Sequence, residues 1–367
     1  MVFGLFKKKK KEKSAAAPDK YINLTVSDVH KETKDAVRVE FDWPEGGMEY
    51  APGQFLTLIL PINGKKVRRA YSLSTSPFLD EKPAVVVKRV VDGLVSNYVN
   101  DNINAGDVIE IMPPMGHFTP EIKEDNQRHL VLISGGSGIT PVMGILKSVL
   151  KMEPLSLVTL IYANRDIDSI IYKEKLEEIK GQYENRLNII QSLDNAHEGW
   201  QGESGMLNLD KMKSLITGLK DWDEESTLYY VCGPQGLMDL AFEAFEALKL
   251  DTHRTFKESF VAAASTEEDT TASSDSGEGS DIHIKYDGQE YDFKVPKGKN
   301  ILETALSQDI DLPYSCQSGL CTACMGKCLE GEVDLSDAEA LSEEERADGY
   351  VLTCVGKPLT DKVTIEI

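Results

Sequence analysis

Two patterns of hydrophobic positions divide the first 260 residues. From Tyr21 to about Pro120, short runs rich in β-branched residues are separated by Gly and Pro, as at 54–60, 84–91 and 108–111. Regularly spaced short strands with turn residues between them predict a small antiparallel β-barrel. The first pattern therefore predicts an all-β domain.

From about His129 onward, apolar runs alternate with segments of helical period. Strands that alternate with helices predict βα units and a parallel sheet. The predicted strands are 130–133, 158–162 and 228–231, and the predicted helices begin at Val142, Lys173 and Gly236.

The composition changes sharply between Val261 and Ser280. This stretch is rich in Ser, Thr, Asp and Glu and contains no aromatic residue, so it cannot form a packed core. We therefore expect an acidic, flexible linker followed by a separate C-terminal domain. The expected divisions are a disordered basic arm (1–20), the barrel domain (21–124), the α/β domain (125–260), the linker (261–280) and the C-terminal domain (281–367).

The net charge of −21 is unevenly distributed. Residues 281–367 include eight basic and 18 acidic residues, whereas residues 1–20 include seven lysines and two acidic residues. No domain-sized basic surface is available, which argues against nucleic acid as a partner. The acidic C-terminal domain is instead expected to be steered toward a basic docking face on another protein.

The N-terminal arm joins a short apolar tip to a lysine-rich run, Lys7 to Lys11 followed by Lys13. This combination is compatible with a weak contact to an anionic membrane. The tip is too short for stable anchoring or for a signal sequence, so a solvated, disordered arm is favoured. The chain contains no run of 18 apolar residues, and no transmembrane segment is expected.

Four cysteines near the C-terminus, Cys316, Cys321, Cys324 and Cys354, follow the spacing C-x4-C-x2-C-x29-C. The first three have the plant-type ferredoxin spacing, in which four thiolates hold a 2Fe-2S cluster. A zinc site usually shows two paired ligand units, and Cys354 has no His or Cys close to it in sequence. A disulfide framework would require a small secreted domain. The spacing therefore predicts a cluster that carries single electrons.

The two remaining cysteines fall outside this pattern. Cys328 lies in an apolar, strand-like run and is predicted to be a small buried hydrophobic residue. Cys232 lies in a turn that also contains Gly and Pro. Two free thiols suit a reducing compartment, so we expect a cytoplasmic location.

Two glycine-rich turns, 134–141 and 231–236, each follow a predicted strand and precede a predicted helix. Glycines at such a junction let backbone amides approach a pyrophosphate at the positive end of the helix. One such turn could be a plain connection, but two in one βα domain predict a nucleotide site. The candidate residues are Gly135, Gly136, Gly138, Thr140, Pro141, Gly233 and Pro234.

A third motif lies in the barrel segment, where Arg69, Tyr71 and Ser72 follow one another on a predicted strand. Side chains alternate between the faces of a strand, so Arg69 and Tyr71 share one face and Ser72 lies on the other. A cation and an aromatic ring on one face could bind the phosphate and the ring of a flavin. Taken alone, the same residues could form an ordinary exposed strand.

These motifs occur in a particular order: Arg69-x-Tyr71-Ser72, then Gly93-Leu-Val-Ser96, then the two glycine turns. In this order they resemble the ferredoxin–NADP reductase superfamily. With a plant-type ferredoxin module at the C-terminus, the chain resembles the reductase components of multicomponent oxygenases, including those of phenylacetyl-CoA epoxidases and ketosteroid hydroxylases. The resemblance covers about 21–367 and implies a FAD-binding antiparallel barrel domain, an α/β NAD(P)-binding domain and an α+β, β-grasp ferredoxin domain.

The resemblance also implies roles for individual residues. Tyr71, Ser72 and Cys232 would be the catalytic residues, with Tyr71 stacked on the flavin, Ser72 near its N5 atom and Cys232 beside the nicotinamide. Arg69, Gly93 and Ser96 would bind the flavin pyrophosphate, and Gly135, Gly136, Gly138, Thr140, Pro141, Gly233 and Pro234 would line the NAD(P)H path. Glu258 and Phe260 match the family pattern near the flavin, although an amphipathic strand end explains them equally well.

The choice between NADH and NADPH stays open at this stage. Arg165 and Ser169 follow a predicted strand and could bind a ribose 2′-phosphate, whereas Asp166 and Asp168 would repel one. FAD rather than FMN is implied by the resemblance.

The predicted function is an oxidoreductase that passes electrons from NAD(P)H through FAD and a 2Fe-2S cluster to a partner oxygenase or hydroxylase. A flavin accepts two electrons from a nicotinamide and releases them one at a time. One alternative is a reductase for another acceptor, such as a hybrid-cluster protein, a cytochrome P450 or a desaturase. A remoter alternative is a redox sensor without turnover.

Overall fold

The computed structural model describes residues 21–219, 223, 225–260, 279–286, 288–319 and 321–367. The predicted basic arm and almost all of the predicted linker lie outside these residues. Among the helices that are described, none has the length and hydrophobicity needed to cross a membrane.

The first domain is an antiparallel β-barrel. Its sheet has the order β4-β3-β6-β1-β2-β5, and a bridge between Leu73 and Val85 brings the two ends of the sheet together. Leu56, Leu58 and Leu60 alternate along one strand and point into the barrel core. The elements are β1 (Ile22–Thr33), β2 (Ala36–Phe41), β3 (Phe55–Ile62), β4 (Lys65–Ser72), β5 (Ala84–Lys88), α1 (Leu94–Asn102) and β6 (Val108–Met115).

The second domain is a parallel sheet with the order β10-β9-β8-β7-β11-β12, covered by helices. The strand order reverses at β7, which lies between β8 and β11, and in such sheets ligands bind beyond the carboxyl ends of the strands at this point. The elements are β7 (His129–Gly135), α2 (Ile139–Met152), β8 (Leu157–Asn164), α3 (Lys173–Gln182), β9 (Leu187–Leu193), β10 (Glu203–Ser204), α4 (Leu209–Thr217), β11 (Thr227–Cys232), α5 (Gln235–Leu248) and β12 (Thr255–Glu258).

The third domain is a mixed sheet of the order β14-β13-β19-β15-β17 with a short helix packed on it, a β-grasp arrangement. The parallel pairing of β13 with β19 brings its first and last strands side by side. The elements are β13 (Ser280–Tyr286), β14 (Gln289–Val295), α6 (Ile301–Ser307), β15 (Met325–Glu330), β16 (Val333–Asp334), α7 (Glu343–Ala347), β17 (Tyr350–Leu352), β18 (Lys357–Pro358) and β19 (Lys362–Glu366).

The three predicted fold classes are confirmed, and the domain boundaries remain predictions. Local predictions were wrong in several places, two of them outside the candidate sites. The strand predicted to reach Val91 ends at Lys88, and Val91 is 89% exposed in the loop before α1. Cys328 is half-buried rather than buried, because the pairing of β15 with β19 shifts register just after it.

The helix α2 of the second domain packs directly on the backbone of the barrel domain. A Cβ atom placed on Gly144 would lie 2.9 Å from the carbonyl oxygen of Thr75 and 3.1 Å from that of Leu73. One turn later, the Ser148 hydroxyl donates to the Ser76 hydroxyl at 2.8 Å. The absence of a side chain at Gly144 therefore sets how closely the two domains approach.

We expect Gly144→Ala to lower the free energy of unfolding by about 1–3 kcal/mol, because its methyl group must displace backbone oxygens. Gly181→Ala in α3 is the matched control, since nothing lies within 4 Å of its Cβ position. This control should be neutral or stabilising by up to about 1 kcal/mol, because alanine is the better helix former. Thermal unfolding of both variants checks the prediction, and equal melting temperatures would contradict it.

Candidate flavin, nucleotide and iron–sulfur sites

A cavity of about 350 Å³ lies between the barrel and the parallel sheet. It opens between β4, the start of α1 and the turn after β7, so three separate motifs of the sequence meet there. The cavity is lined by Arg69, Ala70, Tyr71, Ser72, Val86, Lys88, Val90, Gly93, Leu94, Val95, Ser96, Ser137, Thr140 and Phe260.

The strand β4 supplies one wall of this cavity. Tyr71 is half-buried and packs against the barrel core, and burial raises the pKa of Tyr71 above its usual range. Its phenol therefore stays neutral and offers an aromatic face to the cavity. Arg69 is half-buried on the same wall and supplies a cation.

The amino end of α1 forms a second wall. Gly93 is the N-cap residue, and its side-chain position is already occupied, because a Cβ atom would lie 2.5 Å from the Ser96 hydroxyl. That hydroxyl accepts a hydrogen bond from the Val90 amide at 3.1 Å. The first amide groups of a helix lack partners within the helix and attract anions. The geometry thus suits a phosphate at the start of α1.

The two glycine turns lie in contact with each other at the carboxyl edge of the parallel sheet. A Cβ atom on Gly138 would lie 2.0 Å from the Cys232 carbonyl oxygen, and one on Gly233 would lie 2.8 Å from the Gly135 amide nitrogen. Side chains at these positions would force the turns apart. Gly136 adopts φ +52°, a conformation that favours glycine.

Beside these turns lies a second cavity, of about 390 Å³. Gly135, Gly136, Pro234 and Arg165 line it, and Lys88 lines both this cavity and the first one. The two cavities together extend from the carboxyl end of β8 in the parallel sheet to β4 of the barrel. An elongated dinucleotide and a flavin can therefore lie next to each other.

Four of the predicted residues line neither of the two cavities: Gly138, Pro141, Cys232 and Gly233. Cys232 is fully buried at the end of β11, and burial, with a smaller effect of Glu258, raises the pKa of its thiol well above the usual range. Pro141 is buried in the first turn of α2, which begins at Ile139 rather than at the predicted Val142. These residues therefore support the glycine turns from the side that faces away from the two cavities.

Arg165 lies just after β8 and is surrounded by carboxylates. Its Nε donates to the Asp166 carboxylate at 3.2 Å, and its Nη2 lies 4.0 Å from an Asp35 carboxylate oxygen. Asp166 also accepts a hydrogen bond from the Ser169 amide, while the Ser169 hydroxyl donates to the Asp166 carbonyl at 2.7 Å. The predicted phosphate ligands are thus already bonded to Asp166.

Glu258 is the buried acid of the site. It ends β12, beside Cys232, and its carboxylate accepts a hydrogen bond from the Ser72 hydroxyl at 2.9 Å. Burial raises the pKa of Glu258 to about 8; the Ser72 bond opposes this shift and the nearby Cys316 adds to it. Phe260, two residues later, is 44% exposed and lines the first cavity.

The four cluster cysteines come together in the third domain. Cys316 interacts with Cys321 and Cys354, and Cys324 interacts with Cys354. Hydrogen bonds among these thiols lower the pKa values of Cys316 and Cys324 and raise those of Cys321 and Cys354, so the four sulfur atoms lie within hydrogen-bond reach of one another.

The loop around these cysteines curls tightly. Gly319 has φ +75°, and a Cβ atom on it would lie 2.0 Å from the Asp337 carbonyl oxygen. The Ser318 amide donates to the Cys316 sulfur at 3.4 Å. Among the described residues, no three ligating side chains converge as they would around a single metal ion. Four cysteine thiolates are the ligand set of a plant-type 2Fe-2S cluster, so the donor chemistry fits that cluster.

A small cavity of about 60 Å³ joins the flavin side to the cluster side. Arg69, Ser72, Glu258 and Cys316 all line it, although they come from three domains. The first cluster ligand therefore lies next to the wall of the flavin cavity.

Sequence reasoning missed several lining residues. Lys88 ends a strand that reads as ordinary barrel core, and only the fold brings it to both cavities. Phe55 lines the small cavity from a strand that carries no motif, and Ser315 lines it from the position just before the first cluster cysteine.

Models of three protein families match successive parts of the chain. The oxidoreductase FAD-binding domain matches residues 23–119, the oxidoreductase NAD-binding domain matches 132–242, and the 2Fe-2S iron-sulfur cluster binding domain matches 284–359. The chain accordingly binds FAD, NAD(P)H and a 2Fe-2S cluster, which confirms the predicted cofactors.

Relatives match almost the whole chain. The ferredoxin reductase component of 3-ketosteroid-9-alpha-monooxygenase from Rhodococcus rhodochrous is 34% identical over 352 residues, covering 94% of this chain and 96% of the relative. One of the subunits of 1,2-phenylacetyl-CoA epoxidase from Escherichia coli is 33% identical, covering 94% and 97%. The solved structure of phthalate dioxygenase reductase has the same fold, with a TM-score of 0.60, 22% identity and coverage of 95% and 98%.

The raised pKa of Glu258 predicts a pH dependence of stability. The ordinary pKa of a glutamate is 4.5, so between that value and about 8 the folded state binds more protons than the unfolded state. The free energy of unfolding therefore falls as pH rises through this range. Glu258→Gln mimics the protonated acid and should remove this fall, so its melting temperature should rise relative to the unsubstituted protein between about pH 5 and about pH 8.

Thermal unfolding of the holoprotein at the two pH values measures this effect. Glu184→Gln, which changes an exposed glutamate, is the control and should follow the unsubstituted protein. Parallel pH profiles for all three proteins would show that Glu258 is ionised throughout.

Proposed function

Because this chain belongs to the oxygenase reductases of the ferredoxin–NADP reductase superfamily that carry a C-terminal 2Fe-2S ferredoxin domain, we propose a residue-level electron path through it. The protein is an oxidoreductase that delivers electrons from NAD(P)H, by way of FAD and the cluster, to a partner oxygenase. The proposed path enters beside the glycine turns, crosses the cavity at β4 and leaves through Cys316.

One observation carries this path: Ser72 and Cys316 line the same small cavity. Ser72 also lines the large cavity, where the flavin is proposed to lie. Ser72 therefore connects the proposed flavin cavity to the small cavity that contains the first cluster ligand, Cys316. One NAD(P)H gives NAD(P)⁺, one proton and two electrons, and the electrons leave singly because the cluster carries one at a time.

Each residue at the flavin cavity has a proposed role. Arg69 would pair with the flavin pyrophosphate, and the amino end of α1 near Gly93 and Ser96 would offer further donors to it. Tyr71 presents its neutral ring to the isoalloxazine. Ser72 hydrogen-bonds near the N5 atom and is itself oriented by the buried carboxyl of Glu258. Together these groups fix the flavin and exclude water from one side.

The nucleotide enters over Gly135 and Gly136, and Thr140 lines the flavin side of the same turn. Cys232 acts through packing, since its neutral, buried thiol cannot serve as a nucleophile or base. Its backbone carbonyl lies against Gly138 and keeps the nicotinamide end of the path narrow.

The final substrate is a property of the partner oxygenase. The names of the similar proteins refer to ketosteroid, phenylacetyl-CoA and glycine betaine oxygenases. Such varied systems share one kind of reductase, because the reductase handles only electrons. We place the protein in the cytoplasm, a location that suits Cys232 and Cys328, the two thiols outside the cluster, neither of which is in a disulfide.

We propose NADH as the preferred coenzyme. Arg165 and Ser169, the groups available for a 2′-phosphate, are both engaged by Asp166. A second carboxylate, on Asp35, lies 4.0 Å from the Arg165 guanidinium. The local negative charge disfavours a further phosphate and leaves the hydroxyl of NADH acceptable.

Asp166→Asn should raise kcat/KM for NADPH by about tenfold, equivalent to about 1.4 kcal/mol, and change kcat/KM for NADH by less than about twofold. The amide can still accept the bond from the Ser169 amide, so the loop is preserved. Adding Arg165→Ala to Asp166→Asn should abolish this gain, because the freed guanidinium is the group that would bind the 2′-phosphate. Steady-state ferricyanide reduction with each coenzyme measures both values, and a preference for NADPH in the unsubstituted protein would contradict the proposal.

We propose that the oxygenase presents a basic face to acids next to the cluster. The Ala340 amide donates to the Gly319 carbonyl at 2.8 Å, so the segment before α7 packs on the cysteine loop. Glu343 and Glu344 are exposed in the first turn of α7. Opposite charges at the exposed edge of a protein–protein interface mainly accelerate and orient association.

Replacing both glutamates (Glu343→Gln and Glu344→Gln) should raise KM for the oxygenase severalfold at low salt, and the difference should shrink at about 0.5 M salt because of screening. NADH-dependent ferricyanide reduction should not change. The control pair, Glu174→Gln and Glu177→Gln, removes two exposed acids from α3 of the nucleotide domain. If both pairs behave alike, the docking face lies elsewhere.

If NADH does not bleach the flavin and cluster absorbance, the electron path itself is wrong.

A further inference from the structure

The outer surface of the barrel is buried along β3 and β4. Leu56, Leu58 and Leu60 point into the barrel core, so the residues between them point outward. Those outward residues, Thr57 and Ile59, are nevertheless only 0% and 4% exposed. This outer face is therefore covered, and its polar contacts identify the ferredoxin domain as the cover.

The central polar contact is an ion pair between the two domains. Arg68 of β4 is 4% exposed, and its two terminal nitrogens donate to the two carboxylate oxygens of Asp311 at 2.5 and 3.2 Å. Its guanidinium carbon lies 5.2 Å from the centre of the Tyr314 ring. Tyr21 of the barrel domain also interacts with Arg68. A planar cation with a paired fork and a ring beneath it holds its partner in one orientation.

A second contact lies closer to the cluster. The hydroxyl oxygens of Thr57 and Ser315 are 2.5 Å apart and buried. Ser315 directly precedes Cys316, so this bond fixes the backbone at the first cluster ligand. The segment from Asp311 to Cys316 is thus held by β3 and β4 at both of its ends.

The strand β4 contacts two different partners on its two faces. Arg68 faces the ferredoxin domain, and the next residue, Arg69, lines the flavin cavity. We propose that Arg68 is a positioning residue for electron transfer, which binds Asp311 and Tyr314 so that Cys316 is held beside the flavin cavity. This inference rests on the proposed path from that cavity to Cys316.

A neighbouring pair shows why Arg68 differs from an ordinary surface charge. Lys65, on the same strand, pairs with Asp309 at 3.0 Å, but the two side chains are 77% and 84% exposed. Exposed pairs of this kind contribute little. The Asp311 carboxylate is also 60% exposed, but the Arg68 guanidinium is buried, so its loss removes a paired fork together with a buried contact on the Tyr314 ring. Lys65 therefore provides a matched control in the same interface.

The test separates the two electron steps in the holoprotein by stopped flow, with flavin and cluster absorbance recorded after mixing with NADH. We expect Arg68→Met to leave the rate of flavin reduction unchanged and to slow cluster reduction by about tenfold or more. Lys65→Met should change neither rate by more than about twofold. Arg68→Lys should lie between, since lysine keeps the charge but loses the paired fork.

A charge exchange distinguishes positioning from general damage. Arg68→Asp and Asp311→Arg should each slow cluster reduction, and the double variant should recover much of the rate because the pair is restored in the opposite sense. Small-angle X-ray scattering gives a readout independent of electron transfer. The radius of gyration should increase in each single variant and return toward the original value in the double variant.

The proposal is overturned if Arg68→Met reduces its cluster as fast as the unsubstituted protein, or if Lys65→Met has the same effect as Arg68→Met. It is also overturned if scattering shows no expansion in either single charge variant. Failure of NADH to reduce the flavin in the unsubstituted protein is a different result, which contradicts the proposed function instead.

Discussion

The backbones of two turns lie in direct contact at the carboxyl edge of the parallel sheet. Gly138 lies against the Cys232 carbonyl, and Gly233 lies against the Gly135 amide, so no side chain fits between β7 and β11 at their carboxyl ends. This constraint keeps the turns after β7 and β11 in contact at the point where the strand order reverses. Because no side chains fit there, backbone groups line the nucleotide site. The flavin cavity and the buried thiol both depend on it, because each is bounded by one of these turns.

A buried polar pair connects this nucleotide edge to the barrel. Glu258 ends the strand beside Cys232, and Ser72 ends β4 in the other domain. A carboxyl group held neutral by burial can be kept inside a protein at little electrostatic cost while still orienting a hydroxyl. The two domains thus share a polar contact beside the small cavity that Cys316 also lines.

The sequence predicted much of this arrangement because local patterns determine it. Gly, Pro and β-branched spacing revealed the barrel and the βα units, and the cysteine spacing identified the cluster. The interdomain contacts carry no local signal: Arg68 and Asp311 are 243 residues apart, and neither belongs to a motif. The same applies to Cys232, whose position follows from the motif, whereas its buried, neutral state follows only from packing. The error at Val91 arose because an apolar run can leave a sheet when its backbone bonds to a side chain such as Ser96.

The alternation along β4 also restricts how this gene can change. Substitutions alter one face of the strand at a time, and either face can adapt separately to a new flavin contact or a new ferredoxin contact. A deletion or insertion of one residue would exchange the two faces, turning Arg68 toward the cofactor and Arg69 toward the ferredoxin domain. The length of this strand is therefore expected to be invariant in descendants of this protein, even where most of its residues are replaced.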